Sequence, residues 1–258
     1  MNIAIVTGAS SGIGKEFVRQ ISLAYGDELD EIWVIARRTE RLKEISQLVS
    51  TPISVMSIDL TNKSDLIILE EALKVGSPNV RMLVNAAGFG KMGRYDQISR
   101  QDASDMIKLN CEALVEVTNM VLPYMCRCSN IIQVCSSSAF QPLPGINVYA
   151  ATKAFVLSYS RGLRWELFPK DINVTAVCPY WVKDTEFIST SKVNADSCAV
   201  KSFPFAMEKR KVVRDALLDT ELGLAVSTPG VIASIQRISS KIMPKCATIA
   251  LWEIIRRI

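Results

Sequence analysis

Histidine is absent from all 258 residues. Its absence excludes Ser-His-Asp hydrolysis, Cys-His nucleophilic catalysis and every metal site that depends on imidazole. Proton transfer near neutral pH must then fall to another side chain whose pKa its surroundings shift. Cysteine occurs seven times, but never in the C-x-x-C spacing of redox motifs or zinc sites. The cysteines read as reduced, mostly buried thiols of a cytosolic protein. No apolar run approaches the roughly 20 residues of a membrane-crossing helix, so no stable membrane span is expected. Blocks of like charge are also missing. The 30 basic and 26 acidic residues are scattered, the net charge is only +4, and no nucleic-acid partner is expected. The first strand-like run starts at residue 2 and passes straight into a glycine-rich turn. No signal peptide is therefore expected, and the expected location is the cytoplasm.

What is present is apolar content of 49%, enough to bury the core of one sizeable domain. Short β-branched runs at residues 2–6, 31–36, 53–58, 82–85, 131–135 and 172–177 alternate with helical patterns. The helical patterns cover 13–24, 39–49, a stretch after 61, 100–126 and 149–168. Strands that are nearly all apolar and separated by helices are buried on both faces. The pattern therefore predicts an α/β fold, a Rossmann-like doubly wound parallel sheet with helices on both faces, as a single domain over 1–258. Ligands of such sheets bind at the carboxyl ends of the strands. Only residues 180–214 break the rhythm, and because they follow a strand end they are expected to form a substrate lid.

The turn after the first strand reads Thr7-Gly8-Ala9-Ser10-Ser11-Gly12-Ile13-Gly14 and leads into a helical pattern. Glycine lets a pyrophosphate approach backbone N–H groups closely, and a helix N-terminus adds a favourable partial positive charge. At the end of the second strand an acidic residue would hydrogen-bond the ribose hydroxyls of NAD and repel a 2′-phosphate. This chain has Ala36-Arg37-Arg38 there instead. Arginine makes charge-assisted, often bidentate bonds to phosphate, so the expected cofactor is NADP, with Ser10 or Ser11 as a further donor to the phosphate.

Tyr149 and Lys153 are four apart in a helical pattern, which puts them on one face. A phenol of ordinary pKa about 10 is a poor acid/base at neutral pH and needs a fixed cation beside it. Ser136 stands thirteen residues before the tyrosine, just after a strand, with Ser137 and Ser138 adjacent. With the T-G-x-x-x-G-x-G turn, this set resembles the short-chain dehydrogenase/reductase family, and the likeness runs through most of the chain.

The resemblance implies that Tyr149 is the catalytic acid/base, that Ser136 hydrogen-bonds the substrate oxygen and that Lys153 also holds the nicotinamide ribose. It implies that Asn110 interrupts a long helix and supports a proton path to the lysine. The cofactor would be held by Gly8, Ser10, Ser11, Gly12, Ile13 and Gly14, by Arg37 and Arg38, by Asp59 and Leu60 near the adenine, and by Asn85, Ala86 and Gly88 of the Asn85-Ala86-Ala87-Gly88 turn. The family's P-G-x-V-x-T segment here reads Pro179-Tyr180-Trp181-Val182-Lys183-Asp184-Thr185. Tyrosine replaces its glycine and the threonine is displaced by one, so Pro179, Val182 and Thr185 are assigned to the nicotinamide end from an altered motif.

Tyr180, Trp181, Phe187, Phe203, Phe205 and Met207 crowd the expected lid. They suit a bulky apolar alcohol or ketone, such as a steroid or bile-acid ring system, or they anchor the lid to the core. Two other functions stay open on sequence grounds. One is a catalytically silent NADP-binding regulator on the same fold. The other is a scaffold acting through the apolar segment 249–258, which can equally serve as a subunit contact in the homodimer or homotetramer that the resemblance implies.

Overall fold

Alternate residues of each strand meet opposite layers of helix. The strands are β1 (Asn2–Thr7), β2 (Glu31–Ala36), β3 (Ile53–Ser57), β4 (Asn79–Asn85), β5 (Met125–Val134), β6 (Asn173–Val177) and β7 (Val226–Ser227). Successive side chains of a strand point to opposite faces. Ile3 and Ile5 therefore join Leu69 and Leu73 of α3 (Lys63–Gly76) and Val117 and Val121 of α5 (Ala113–Val121). Ala4 and Val6 pack instead on Phe17 and Ile21 of α1 (Gly12–Tyr25) and on Val213 and Leu217 of α8 (Lys209–Glu221). A computed structural model describes residues 1–192, 200–201 and 203–256 of the chain.

All strands run parallel in the order β3-β2-β1-β4-β5-β6-β7. The direction of winding reverses beside β1, whose neighbours are β2 and β4, so a crevice opens at the carboxyl ends of these strands. The Rossmann-like fold read from the sequence is the one observed. Among the described residues no helix is long and apolar enough to cross a membrane.

The expected helix over 100–126 is four pieces and the start of a strand. It comprises α4 (Arg100–Ile107), a π-helical turn over Lys108–Glu112, α5 and a 3₁₀ turn over Leu122–Tyr124, after which β5 begins. Strand β5 starts six residues before the predicted 131. Its first part holds exposed Cys126 and Cys128, with Cys128 at φ 62°, and its pairing to β4 shifts register there. Such a segment carries no two-residue alternation to read. The predicted helix at 39–49 is α2 (Thr39–Lys43) followed by a 3₁₀ turn over Glu44–Gln47. The helix predicted from 149 starts earlier, as α6 (Asn147–Leu167).

The 180–214 segment contains α7 (Phe187–Ser191) and the first turns of α8, while 193–199 and 202 lie outside the described residues. The chain ends in α9 (Val231–Ile242) and α10 (Lys245–Ile255), and residues 257–258 of the apolar terminal segment again lie outside the description.

Candidate active site

The strand ends open into one cleft of about 750 Å³. Every site residue inferred from the sequence lines it except Asn85 and Asn110. The first wall is the β1 turn, where Gly8 has φ +66° and a Cβ would come within 2.7 Å of the Ala87 nitrogen. Only a bare backbone with access to positive φ fits there. Thr7 ties the two turns together, its Oγ1 accepting from the Ala86 and Ala87 amides at 3.1 and 3.2 Å. Thr7 is the first residue of the T-G-x-x-x-G-x-G pattern, which does not by itself give it this role of joining the two turns.

The two arginines after β2 part company. Arg37 is largely exposed and pairs with Asp59 at 3.8 Å. Arg38 turns into the cleft, its Nη2 donating to the Ser11 hydroxyl at 2.8 Å and its Nε to Ser10 at 3.3 Å. Asp59 is organised locally. Burial pushes its carboxyl upward, but hydrogen bonds from Thr61 and the charge of Arg37 outweigh this and hold it below the usual range. Asn85 does not reach the cleft. It is buried, and its side-chain amide donates to Thr118 at 3.0 Å.

At the other end α6 delivers Tyr149 and Lys153 one turn apart, both at least nine-tenths buried. The Lys153 ammonium donates to the Val134 carbonyl at 2.8 Å and lies 5.7 Å from the centre of the tyrosine ring. Burial pushes the Tyr149 phenol well above the ordinary tyrosine range. A hydrogen bond with Ser136 pulls it back, and the Cys135 and Cys178 thiols add slightly to the rise. The phenol is therefore protonated throughout the neutral range, as a proton donor must be. Burial also holds the Lys153 ammonium below its usual range, with nearby thiols opposing.

Asn110 acts from behind. It is fully buried in the π-helical turn, where Oδ1 accepts from the Phe89 amide at 3.0 Å and Nδ2 donates to the Phe89 carbonyl and to Thr152. It braces the loop after β4 against the residue preceding Lys153. A π turn widens a helix by one residue, which is what turns this side chain inward. The arrangement also depends on Gly88, where a Cβ would lie 2.9 Å from Asn110 Oδ1 and 3.5 Å from Lys153 Nζ.

Of the aromatic residues expected in a lid, Tyr180, Trp181 and Phe187 line the cleft, and the Phe187 ring stands 5.2 Å from that of Tyr149. Phe203 packs behind Trp181 at 4.8 Å, and Phe205 is exposed. Met207 pairs through its backbone with Trp181 and Lys183. Thr185 donates to the Val182 carbonyl at 3.2 Å. Leu143, Ile146, Gln236, Trp252 and Lys91 also line the cleft. They come from loops and C-terminal helices far apart in the chain, so no local pattern could have grouped them.

A profile of short chain dehydrogenases matches residues 2–195. An NADP-dependent 3-hydroxy acid dehydrogenase of Escherichia coli strain K12 is 31% identical over 204 residues, covering 78% of this chain and 81% of that protein. An uncharacterized oxidoreductase of Staphylococcus epidermidis is also 31% identical over 204 residues, covering 76% of this chain and 87% of that one. Among solved structures, a short-chain dehydrogenase from Sphingobium yanoikuyae in complex with NADPH superposes with a TM-score of 0.79 at 27% identity, over 94% of each chain. A bulky-bulky ketone specific alcohol dehydrogenase from Comamonas testosteroni superposes with a TM-score of 0.74 at 26% identity, again over 94% of each.

Proposed function

The chain belongs to the short-chain dehydrogenase family and is an NAD(P)-dependent oxidoreductase acting on CH–OH groups; on that premise we propose that it prefers NADP and interconverts a bulky, apolar secondary alcohol with its ketone. The observation that carries this reading is the buried Tyr149 and Lys153 pair, with Ser136 beside it, at a cleft end walled by Leu143, Trp181, Phe187 and Trp252. The relative specific for bulky ketones supports the substrate class. A cytoplasmic homo-oligomer is part of the same proposal.

The residues present fit NADP. The bare Gly8 and Gly88 backbones leave room where a Cβ would collide, and Arg38 with two serine hydroxyls is a donor set suited to phosphate. Gly8–Gly14 would hold the pyrophosphate, Arg38 the 2′-phosphate, Asp59 and Leu60 the adenine side, and Lys153, Val182 and Thr185 the nicotinamide end. When bound, NADPH supplies the hydride.

The protein's own part is proton transfer and orientation. Tyr149, kept neutral by burial, gives its proton to the carbonyl oxygen. Ser136 donates a hydrogen bond to that same oxygen as charge develops on it. Lys153 lies beside the phenol to stabilise the phenolate that proton loss leaves. Asn110 positions the helix turn that carries Lys153. The apolar wall excludes water and strengthens each of these interactions.

The test is at Arg38. Arg38→Asp removes a charge-assisted bond worth roughly 1.5–3 kcal/mol, so the NADPH-to-NADH affinity ratio should fall about tenfold to a hundredfold. Arg37→Asp should have the smaller effect, since Arg37 is spent on Asp59 and solvent. Fluorescence titration with both nucleotides measures this. Equal wild-type affinity for NADH and NADPH would refute the cofactor preference.

A second substrate reading rests on Lys91, a cation lining the cleft and one that could pair with the carboxylate of a 3-hydroxy acid. If that reading holds, replacing Lys91 by methionine impairs turnover of acids and spares neutral ketones.

A further inference from the structure

Glu186 opens α7 immediately after Thr185, on the lid side of the cleft. Its carboxylate is held from the opposite side by two arginines. One oxygen accepts from Arg38 Nη1 at 2.9 Å and the other from Arg41 Nη1. Arg38 and Arg41 are three apart at the start of α2, which puts them on one face. The remaining donors of Arg38 reach the hydroxyls of Ser10 and Ser11. Two guanidinium donors from the start of α2 thus converge on one anion, and the anion the chain itself supplies is a carboxylate. This is the cradle assigned above to the ribose 2′-phosphate, and the inference rests on that assignment.

We propose that Glu186 is a cofactor-specificity residue, whose carboxylate competes with the ribose 2′-phosphate for Arg38 and Arg41, and that Arg41 belongs to the phosphate-binding set. Half-exposed ion pairs add little to stability, so the triad is poorly explained as a structural brace. Its two guanidinium partners hold the Glu186 carboxyl below the usual range, so it stays charged in the neutral range and remains a competitor. A 2′-phosphate carries roughly 1.5 to 2 negative charges. It must either displace the carboxylate or share the arginines with it, and both cost affinity. NAD has free hydroxyls there and leaves the ion pairs intact. Glu186 would thus narrow the margin between the two cofactors, and it would do so from the segment that also walls the substrate end.

Binding of adenosine 2′,5′-bisphosphate and of ADP, measured by calorimetry on the full chain, separates the effects. In Glu186→Gln the bisphosphate should bind about tenfold tighter and ADP as before, with the gain shrinking as salt is raised. Arg41→Ala should weaken the bisphosphate severalfold and leave ADP unchanged. If the wild type prefers the bisphosphate but Glu186→Gln binds it no tighter, or less tightly, competition is wrong while the NADP reading stands. If the wild type and both variants bind the two ligands equally, the NADP reading and this inference fail together.

Discussion

Replacing Tyr149 by phenylalanine is expected to lower turnover about a thousandfold while leaving NADPH affinity within a few-fold of wild type. The ring is nine-tenths buried, against Phe187 and beside Gly90, where a Cβ would already lie 2.8 Å from it. Phenylalanine fills the same volume, so the fold should not respond. What disappears is the hydroxyl beside Lys153, which burial keeps protonated across the neutral range. Lys153 keeps its bond to the Val134 carbonyl, and the glycine turn is untouched. Turnover followed by NADPH absorbance, alongside a fluorescence titration for affinity, separates the two quantities. Activity within a few-fold of wild type would mean that the proton comes from elsewhere. Because burial raises the phenol's pKa, reductive turnover should not decline through loss of the Tyr149 proton until the pH is strongly alkaline.

The second large effect is expected at Ser136, where alanine should cost about a hundredfold in kcat/KM, the scale for losing one donor to a developing oxyanion. The sequence offers three consecutive serines, and only their surroundings separate them. Ser136 is extended, its hydroxyl lowers the Tyr149 phenol's pKa, and it accepts from the Ser138 amide at 3.2 Å. Ser137 and Ser138 begin a 3₁₀ turn and are buried, and the Ser138 hydroxyl has no hydrogen-bond partner among the described residues. Alanine at either should therefore be milder, within about tenfold, because no donor to the reacting oxygen is removed. A larger loss from Ser137→Ala or Ser138→Ala than from Ser136→Ala in parallel kinetics would move the substrate oxygen away from Ser136.

Much of this site was legible because its chemistry is written in short range. The glycines of the first turn, the four-residue spacing of Tyr149 and Lys153, and Ser136 at a strand end are local patterns, and one helical turn or one strand end suffices to aim them. Asn110 shows where that logic thins. Its position inside a helical run was readable, but its inward aim depends on the π turn, which differs from an α-helix by one hydrogen-bond step and leaves no mark in hydrophobic periodicity. Asn85 shows the reverse. The motif placed it at the cofactor, whereas packing turns its amide to Thr118 across a buried contact. Strand β7 has two residues and takes its place by pairing with β6, a length too short for any pattern.

What the sequence determined by itself was therefore the parallel sheet, the glycine turn after β1 and the placing of Tyr149 beside Lys153. Each follows from covalent spacing combined with the fixed periods of helix and strand. What only the tertiary structure decided was which of neighbouring equals meets which partner. Arg38 and not Arg37 faces the glycine turn, and three of the six lid residues, not all six, line the cleft. The same holds for Glu186, which meets Arg38 and Arg41 from roughly 145 residues away. Contacts of that kind are set by where the sheet brings its strand ends together, and a one-dimensional pattern carries no record of which distant side chains will share that space.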